Sequence, residues 1–138
     1  MSQVIVLDTH IWIWFITQEF ERFPAQWREI IETSDVVGIS PVSCYEVALA
    51  QKRGRLQLPC AAEYWLQEAL EPSGIMLFPI TAQIANQAVN LSPIHKDPFD
   101  RLIIATALAY KAQLASIDSL FDQYSELDTY LMRSTSLL

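Results

Sequence analysis

Membrane-length apolar runs are missing from this sequence. The longest unbroken one, Ile11 to Ile16, falls far short of the roughly 20 residues a helix needs to cross a bilayer, which excludes a spanning helix. The Met1-Ser2-Gln3 start has no basic n-region of the kind that opens a secretory leader. A cytosolic location is the expectation. Cysteine appears twice, at Cys44 and Cys60, without the spacing of a metal site and too sparsely for a disulfide framework. Both are expected to be inert core thiols in a reducing compartment. Basic residues are also few, nine Lys and Arg against sixteen Asp and Glu for a net charge of −7, which argues against a generic basic nucleic-acid binder. Repeats, low-complexity tracts and linkers are absent, so residues 1–138 read as a single domain.

Apolar residues, by contrast, are plentiful. They make up 51% of the chain and give a mean hydropathy of +0.19, which implies a very full core or an apolar face kept for a partner. Their arrangement alternates. Short apolar runs, Val4 to Leu7, Val36 to Ile39, Ile75 to Phe78 and Leu114 to Ile117, have the character of buried parallel strands. The tail from Leu127 to Leu138 holds a weaker candidate for a fifth, edge strand. Between them lie helical segments: Thr9 to Ile16, apolar all round; Glu21 to Thr33, amphipathic; Pro41 to about Arg53, entered through Ser40 and closed by Gly54; Ala61 to Leu70; and Thr81 to about Leu91. The longest is Pro98 to Tyr110, with Asp97 as N-cap, proline at the first helical position and Asp100 in the first turn. A short helix over Ser119 to Tyr124 completes the order. Strands alternating with helices imply a parallel sheet covered on both faces, an α/β/α sandwich of four or five strands, with its ligand crevice outside the carboxyl ends of the strands.

That rule sorts the acids. Asp8 directly follows the first strand and Asp118 the fourth; each is equally explained as an N-cap, but two acids at two strand ends of one sheet should project into the same crevice. Glu46 sits in an otherwise apolar stretch of its helix, with a solvated surface position as the alternative. Asp100 has a favourable helix dipole as sufficient reason for its charge. If the four converge, their repulsion needs a hard divalent cation, and Mg²⁺ or Mn²⁺ on carboxylates suits phosphodiester hydrolysis. A phosphatase with Asp8 as nucleophile is disfavoured because His10 stands where Asp-x-Asp enzymes have their second acid. His10 and His95 have no metal-ligand spacing and are expected to make structural hydrogen bonds, while Trp12 and Trp14 are expected in the core or at a dimer contact.

Leu7-Asp8-Thr9-His10, Ser43-Cys44-Tyr45-Glu46-Val47-Ala48 with Gly54-Arg55-Leu56, His95-Lys96-Asp97-Pro98-Phe99-Asp100-Arg101-Leu102 and Ser116-Ile117-Asp118 occur in that order. Together they resemble the PIN domain family and, within it, the toxin ribonucleases of VapC type, over nearly the whole chain. The resemblance implies a Mg²⁺- or Mn²⁺-dependent endoribonuclease with Asp8, Glu46, Asp100 and Asp118 as its acids, acting as a homodimer and neutralised by a cognate antitoxin. On this reading Asp8, Asp100 and Asp118 hold the metal, and Glu46 binds through water or a second ion. Ser116 supports Asp118, Thr9 supports the site, and Asp97 remains the helix cap. Arg53, Arg55, Lys96 and Arg101 are candidates for RNA phosphate contacts, each with a structural alternative: a helix C-terminus for Arg53, an ion pair for Arg101. A catalytically silent module that binds RNA or protein is the competing reading.

Overall fold

The computed structural model describes residues 3–133. Its strands β1 (Val4–Leu7), β2 (Val36–Ile39), β3 (Met76–Leu77) and β4 (Gln113–Ala115) form one parallel sheet in the order β3-β2-β1-β4. Helices α1 (Thr9–Ile16), α2 (Ala25–Thr33), α3 (Pro41–Lys52), α4 (Ala62–Glu68), α5 (Ala82–Val89) and α6 (Pro98–Ala109) provide the crossovers. Strand β1 shows why the sheet has two covered faces. Its successive side chains point to opposite sides, so Ile5 and Leu7 join Trp12, Trp27 and Trp65 of α1, α2 and α4. Val6 joins Ile103 and Ile104 of α6 on the other side. All three strand residues are fully buried, and each contributes roughly 1.5–3 kcal/mol by leaving water. The result is the expected three-layer α/β/α sandwich, with no helix among the described residues long and apolar enough to cross a membrane.

Helix ends follow the local chemistry. Ser40 Oγ accepts the Val42 amide at 3.3 Å, Thr81 that of Ile84 at 3.1 Å, and Asp97 Oδ1 that of Phe99 at 2.9 Å. Proline occupies the first position of α3 and of α6, where no amide hydrogen is required. Gly54 takes φ of +72° just past α3, and its amide bonds back to Gln51 while that of Arg55 reaches Ala50, at 3.0 and 2.9 Å. This is a Schellman closure. Gly38 in β2 answers to space instead, because a Cβ there would lie 2.6 Å from the Phe78 ring and 2.7 Å from the Met76 carbonyl.

Several expected boundaries moved. The segment Glu21 to Thr33 is not one helix: a 3-10 turn at Phe20–Arg22 precedes α2, because Phe23 stands before a proline and is extended, with φ −141° and ψ 167°. Strand β3 is only Met76–Leu77, and β4 stops at Ala115, beyond which the Asp118 amide bonds Ser116 Oγ at 3.1 Å. A 3-10 turn spans Ser119–Gln123. The fifth strand reduces to a single parallel bridge between Leu114 and Leu131, and residues 134–138 of that expectation lie outside the described residues. Cys44 is half-buried and packs against the core, whereas Cys60 is exposed, which corrects its assignment to the core: it follows Pro59 in a surface connection.

Candidate metal centre

The carboxyl edge of the sheet has one natural crevice, beside β1 and β4, where the chain leaving β1 turns into α1 on one face and the chain entering β4 comes from α6 on the other. A cavity of about 540 Å³ opens there, lined by Asp8, Glu46, Asp97, Asp100 and Asp118 together with Thr9, His10 and Trp14. The four acids expected to converge are brought together, with Asp97 beside them.

Each acid is held by its own local structure. Asp8 follows β1, whose pairing continues through the Asp8 amide onto Ala115 at 2.9 Å. Its Oδ1 accepts the Thr9 amide at 2.9 Å and its Oδ2 the Ser116 hydroxyl at 2.7 Å. Glu46 Oε1 accepts the Thr9 hydroxyl at 2.5 Å, and Thr9 Oγ1 lies 2.8 Å from buried Ser43 Oγ. Asp118 is three residues beyond β4 rather than at its end, and caps the following 3-10 turn through the Leu120 amide at 2.9 Å. Its Oδ2 lies 3.0 Å from His95 Nε2. Asp100 projects from the first turn of α6 with its nearest cationic-capable neighbour, His95 Nε2, at 3.8 Å.

Burial and crowding set the protonation of this group. Burial raises the Asp8 carboxyl above the usual range against the lowering bonds from Ser116 and Thr9. Glu46 is raised by burial, opposed by the Thr9 hydroxyl and reinforced by the charges of Asp8 and Asp97. Asp100 is pushed to about 7, first by burial and then by Asp8, with His95 opposing and Asp97 and Glu46 adding. Carboxylates at such range repel unless something positive intervenes. The donors present are hard oxygens, which suit Mg²⁺ or Mn²⁺ rather than a soft metal, so the residues fit a divalent ion held by carboxylates.

The supporting residues were placed differently in three cases. Ser116 bonds the side chain of Asp8, not that of Asp118, from which it takes only the amide. Arg101 is no phosphate contact: its five N–H donors go to the carbonyls of Ala88, Val89, Leu91, Ser92 and His95, at 2.8 to 3.3 Å. A guanidinium has five N–H donors in all, so none is left for RNA, and Arg101 instead ties the loop after α5 to α6. Trp12 is fully buried and Trp14 packs partly buried against the same core, as expected; Trp14 also lines the acidic cavity, with exposed His10 tilted against it, ring centroids 5.5 Å apart. His95, expected only as a structural donor, stands between Asp100 and Asp118. It stands two residues before the helix cap Asp97, and nothing in that spacing announced the pairing. Arg53, Arg55 and Lys96 are exposed and outside the cavity lining.

Fold and site together define a class, the doubly covered parallel α/β domain with a carboxylate crevice at its switch point. Residues 5–127 match the PIN domain, and the chain belongs to that family. Ribonuclease VapC22 of Mycobacterium tuberculosis is 32% identical over 115 residues, 83% of this chain and 86% of that protein. Among solved structures, VapBC2 from Rickettsia felis bound to a DNA fragment from their promoter matches with a TM-score of 0.68 and 16% identity, over 94% of this chain and 98% of that one. A toxin-antitoxin complex from Klebsiella pneumoniae matches with a TM-score of 0.58 and 20% identity, over 96% and 99%. These two likenesses are of fold.

Proposed function

We propose that the protein is an endoribonuclease that hydrolyses RNA phosphodiester bonds with Mg²⁺ or Mn²⁺, and that it is the toxin of a toxin-antitoxin pair. The observation that carries the reading is the convergence of Asp8, Glu46, Asp100 and Asp118 on one cavity; the ribonuclease relative supports the substrate class. Asp8, Asp100 and Asp118 would hold the ion. When bound, it would supply charge stabilisation at the scissile phosphate and a water of lowered pKa. Glu46, fixed through Oε1 by Thr9 and raised in pKa by burial, keeps Oε2 free to orient the attacking water and take its proton. Exposed Arg53, Arg55 and Lys96 would meet phosphates further along the strand. The toxin-antitoxin complexes among the fold relatives support a small antitoxin as partner. The apolar side chains left exposed, among them Val89, Met76 and Leu77, would pack against it or against a second copy in a homodimer.

The test incubates the purified chain with a pool of structured RNAs under Mn²⁺, Mg²⁺ or chelator, beside Asp8→Asn and Asp100→Asn variants shown to be folded. Cleavage should need the ion and fall about 10²–10³-fold in each variant, the scale of losing one preorganised transition-state contact. Cleavage that survives chelator, or that is equal in the variants, refutes the reading. RNA binding without cleavage would favour the silent-module alternative.

A further inference from the structure

His95, Asp100 and Asp118 offer one ligand atom each within 4.8 Å, so His95 has two roles open to it, as a metal ligand through Nε2 or as a proton donor to the carboxylates. The tautomer decides between them, and the Tyr124 hydroxyl decides the tautomer. Tyr124 is 1% exposed, and its oxygen accepts the His95 backbone amide at 2.9 Å. That bond uses the oxygen as acceptor and leaves its own hydrogen to place. His95 Nδ1 lies 2.8 Å away, and among the described residues no other acceptor is bonded to this hydroxyl. A buried hydroxyl hydrogen without an acceptor is costly, so the hydroxyl donates and Nδ1 receives. In neutral imidazole the other nitrogen then carries the proton. Nε2–H therefore points at Asp118 Oδ2, 3.0 Å away, with Asp100 Oδ2 at 3.8 Å.

The ring has little room to turn. Tyr124 stacks on it at 13° with centroids 5.6 Å apart, Phe121 meets it edge-on at 5.0 Å, and its carbonyl accepts from Arg101 at 3.3 Å. We infer that His95 is a positioning residue for the metal centre: Tyr124 fixes it as the Nε2–H tautomer, and it holds the Asp118 carboxylate in place by donation rather than joining the metal's ligands. The inference rests on the metal-dependent reading above for its consequence, though not for the tautomer itself. It makes the 3-10 turn that carries Phe121, with Tyr124 directly after it, part of the site, although neither residue lines the acidic cavity.

The experiment has two readouts on the full chain. In ¹⁵N spectra of the imidazoles, His95 should show a protonated Nε2 and a bare Nδ1, unchanged when Mg²⁺ is added. Separately, His95→Ala should lower Mn²⁺ affinity about 10–100-fold, as loss of an outer-shell partner does. His95→Gln, whose amide can donate to Asp118 from a similar position, should recover most of it. An Nδ1–H tautomer, or loss of the Nε2 proton on Mg²⁺ binding, overturns the inference, the second in favour of direct ligation. Equal affinity in the alanine and glutamine variants overturns it in favour of simple packing. If His95→Ala does not fold, Tyr124→Phe keeps both rings and removes only the hydroxyl; it should weaken Mn²⁺ binding several-fold, and unchanged affinity refutes the role. Should the wild-type chain bind neither ion, the metal reading fails while the metal-free tautomer still judges the hydrogen-bond assignment.

Discussion

The two walls of the acidic cavity carry similar charge and very different support. On the β1 wall, Asp8 accepts an amide and a hydroxyl, and Glu46 accepts the Thr9 hydroxyl, itself paired with Ser43. On the α6 wall, no hydrogen bond reaches the Asp100 carboxylate among the described residues, and Asp118 relies on His95 for its inner oxygen. Bonds to an ionised carboxylate favour that form, and burial without them disfavours it. Asp100, which has no such bond, is lifted to about 7, and burial raises Asp8 and Glu46 against the bonds they do accept. The contrast is one of support rather than of charge, since Asp8 and Glu46 are raised as well: the β1 wall is held by bonds within the protein, and the Asp100 carboxylate is left to whatever cation enters.

The largest test of that asymmetry is the stability of the metal-free protein. Asp100 has its folded pKa raised from 3.8 to about 7, so the folded state holds a proton that the unfolded state has already released between those values. Its contribution is full below about pH 4 and is lost as pH rises to about 7; Asp8 and Glu46, also raised, act with the same sign. Removing the charge should then stabilise. Asp100→Asn is expected to gain roughly 2 kcal/mol at pH 8, with ~4 kcal/mol as the ceiling set by the full shift. Asp8→Asn should gain less or lose, since an asparagine keeps only one acceptor where the Thr9 amide and the Ser116 hydroxyl require two. Urea denaturation in chelator at pH 8 measures both, and an Asp8 variant more stable than the Asp100 variant would break the comparison.

Much of this wall-by-wall difference was hidden in the sequence, though the fold was not. Strand runs such as Val4 to Leu7 and caps such as Ser40-Pro41 and Asp97-Pro98 are local signals, and the elements they announce are present. The acids could be placed at one crevice because strand ends and sheet topology are coupled. What local reading could not supply was the partner of each polar group. Ser116 lies two residues before Asp118 but bonds Asp8, 108 residues away in sequence. Arg101 sits beside Asp100 yet turns to five carbonyls of the end of α5 and the loop after it, and His95 meets Tyr124 across 29 residues. Side-chain pairing depends on tertiary packing, and no spacing rule anticipates it. Cys60 failed for a simpler reason, since an apolar residue type in a proline-bounded connection need not be buried.

A second test, smaller in effect, follows the α6 wall into ion binding. Below about pH 7 an entering cation must displace the proton from Asp100. Mn²⁺ affinity should therefore climb with pH by up to about tenfold per unit below pH 7 and flatten above it. In Asp100→Asn the overall affinity should be lower and the slope shallower, with the remainder due to Asp8 and Glu46. Free Mn²⁺ measured by electron paramagnetic resonance across pH 5.5 to 8.5 gives the curve. A slope unchanged by the substitution would assign the proton to the β1 wall instead.

The finest distinction is within the β1 wall, between the two hydroxyls that support it. Ser116→Ala removes the donor to Asp8 and the acceptor of the Asp118 amide together, so it touches two residues expected to hold the ion. It should lower Mn²⁺ affinity about tenfold, the lower end for an outer-shell partner. Thr9→Val preserves volume but removes the hydroxyl shared by Glu46 and Ser43. Because Glu46 is assigned to the attacking water rather than to the ion, Mn²⁺ affinity should change no more than about twofold while RNA cleavage falls by more. Paired titration and cleavage rates on the two variants separate these effects. If Thr9→Val weakens the ion as much as Ser116→Ala does, Glu46 belongs among the direct ligands, and the wall supports binding rather than dividing it from proton transfer.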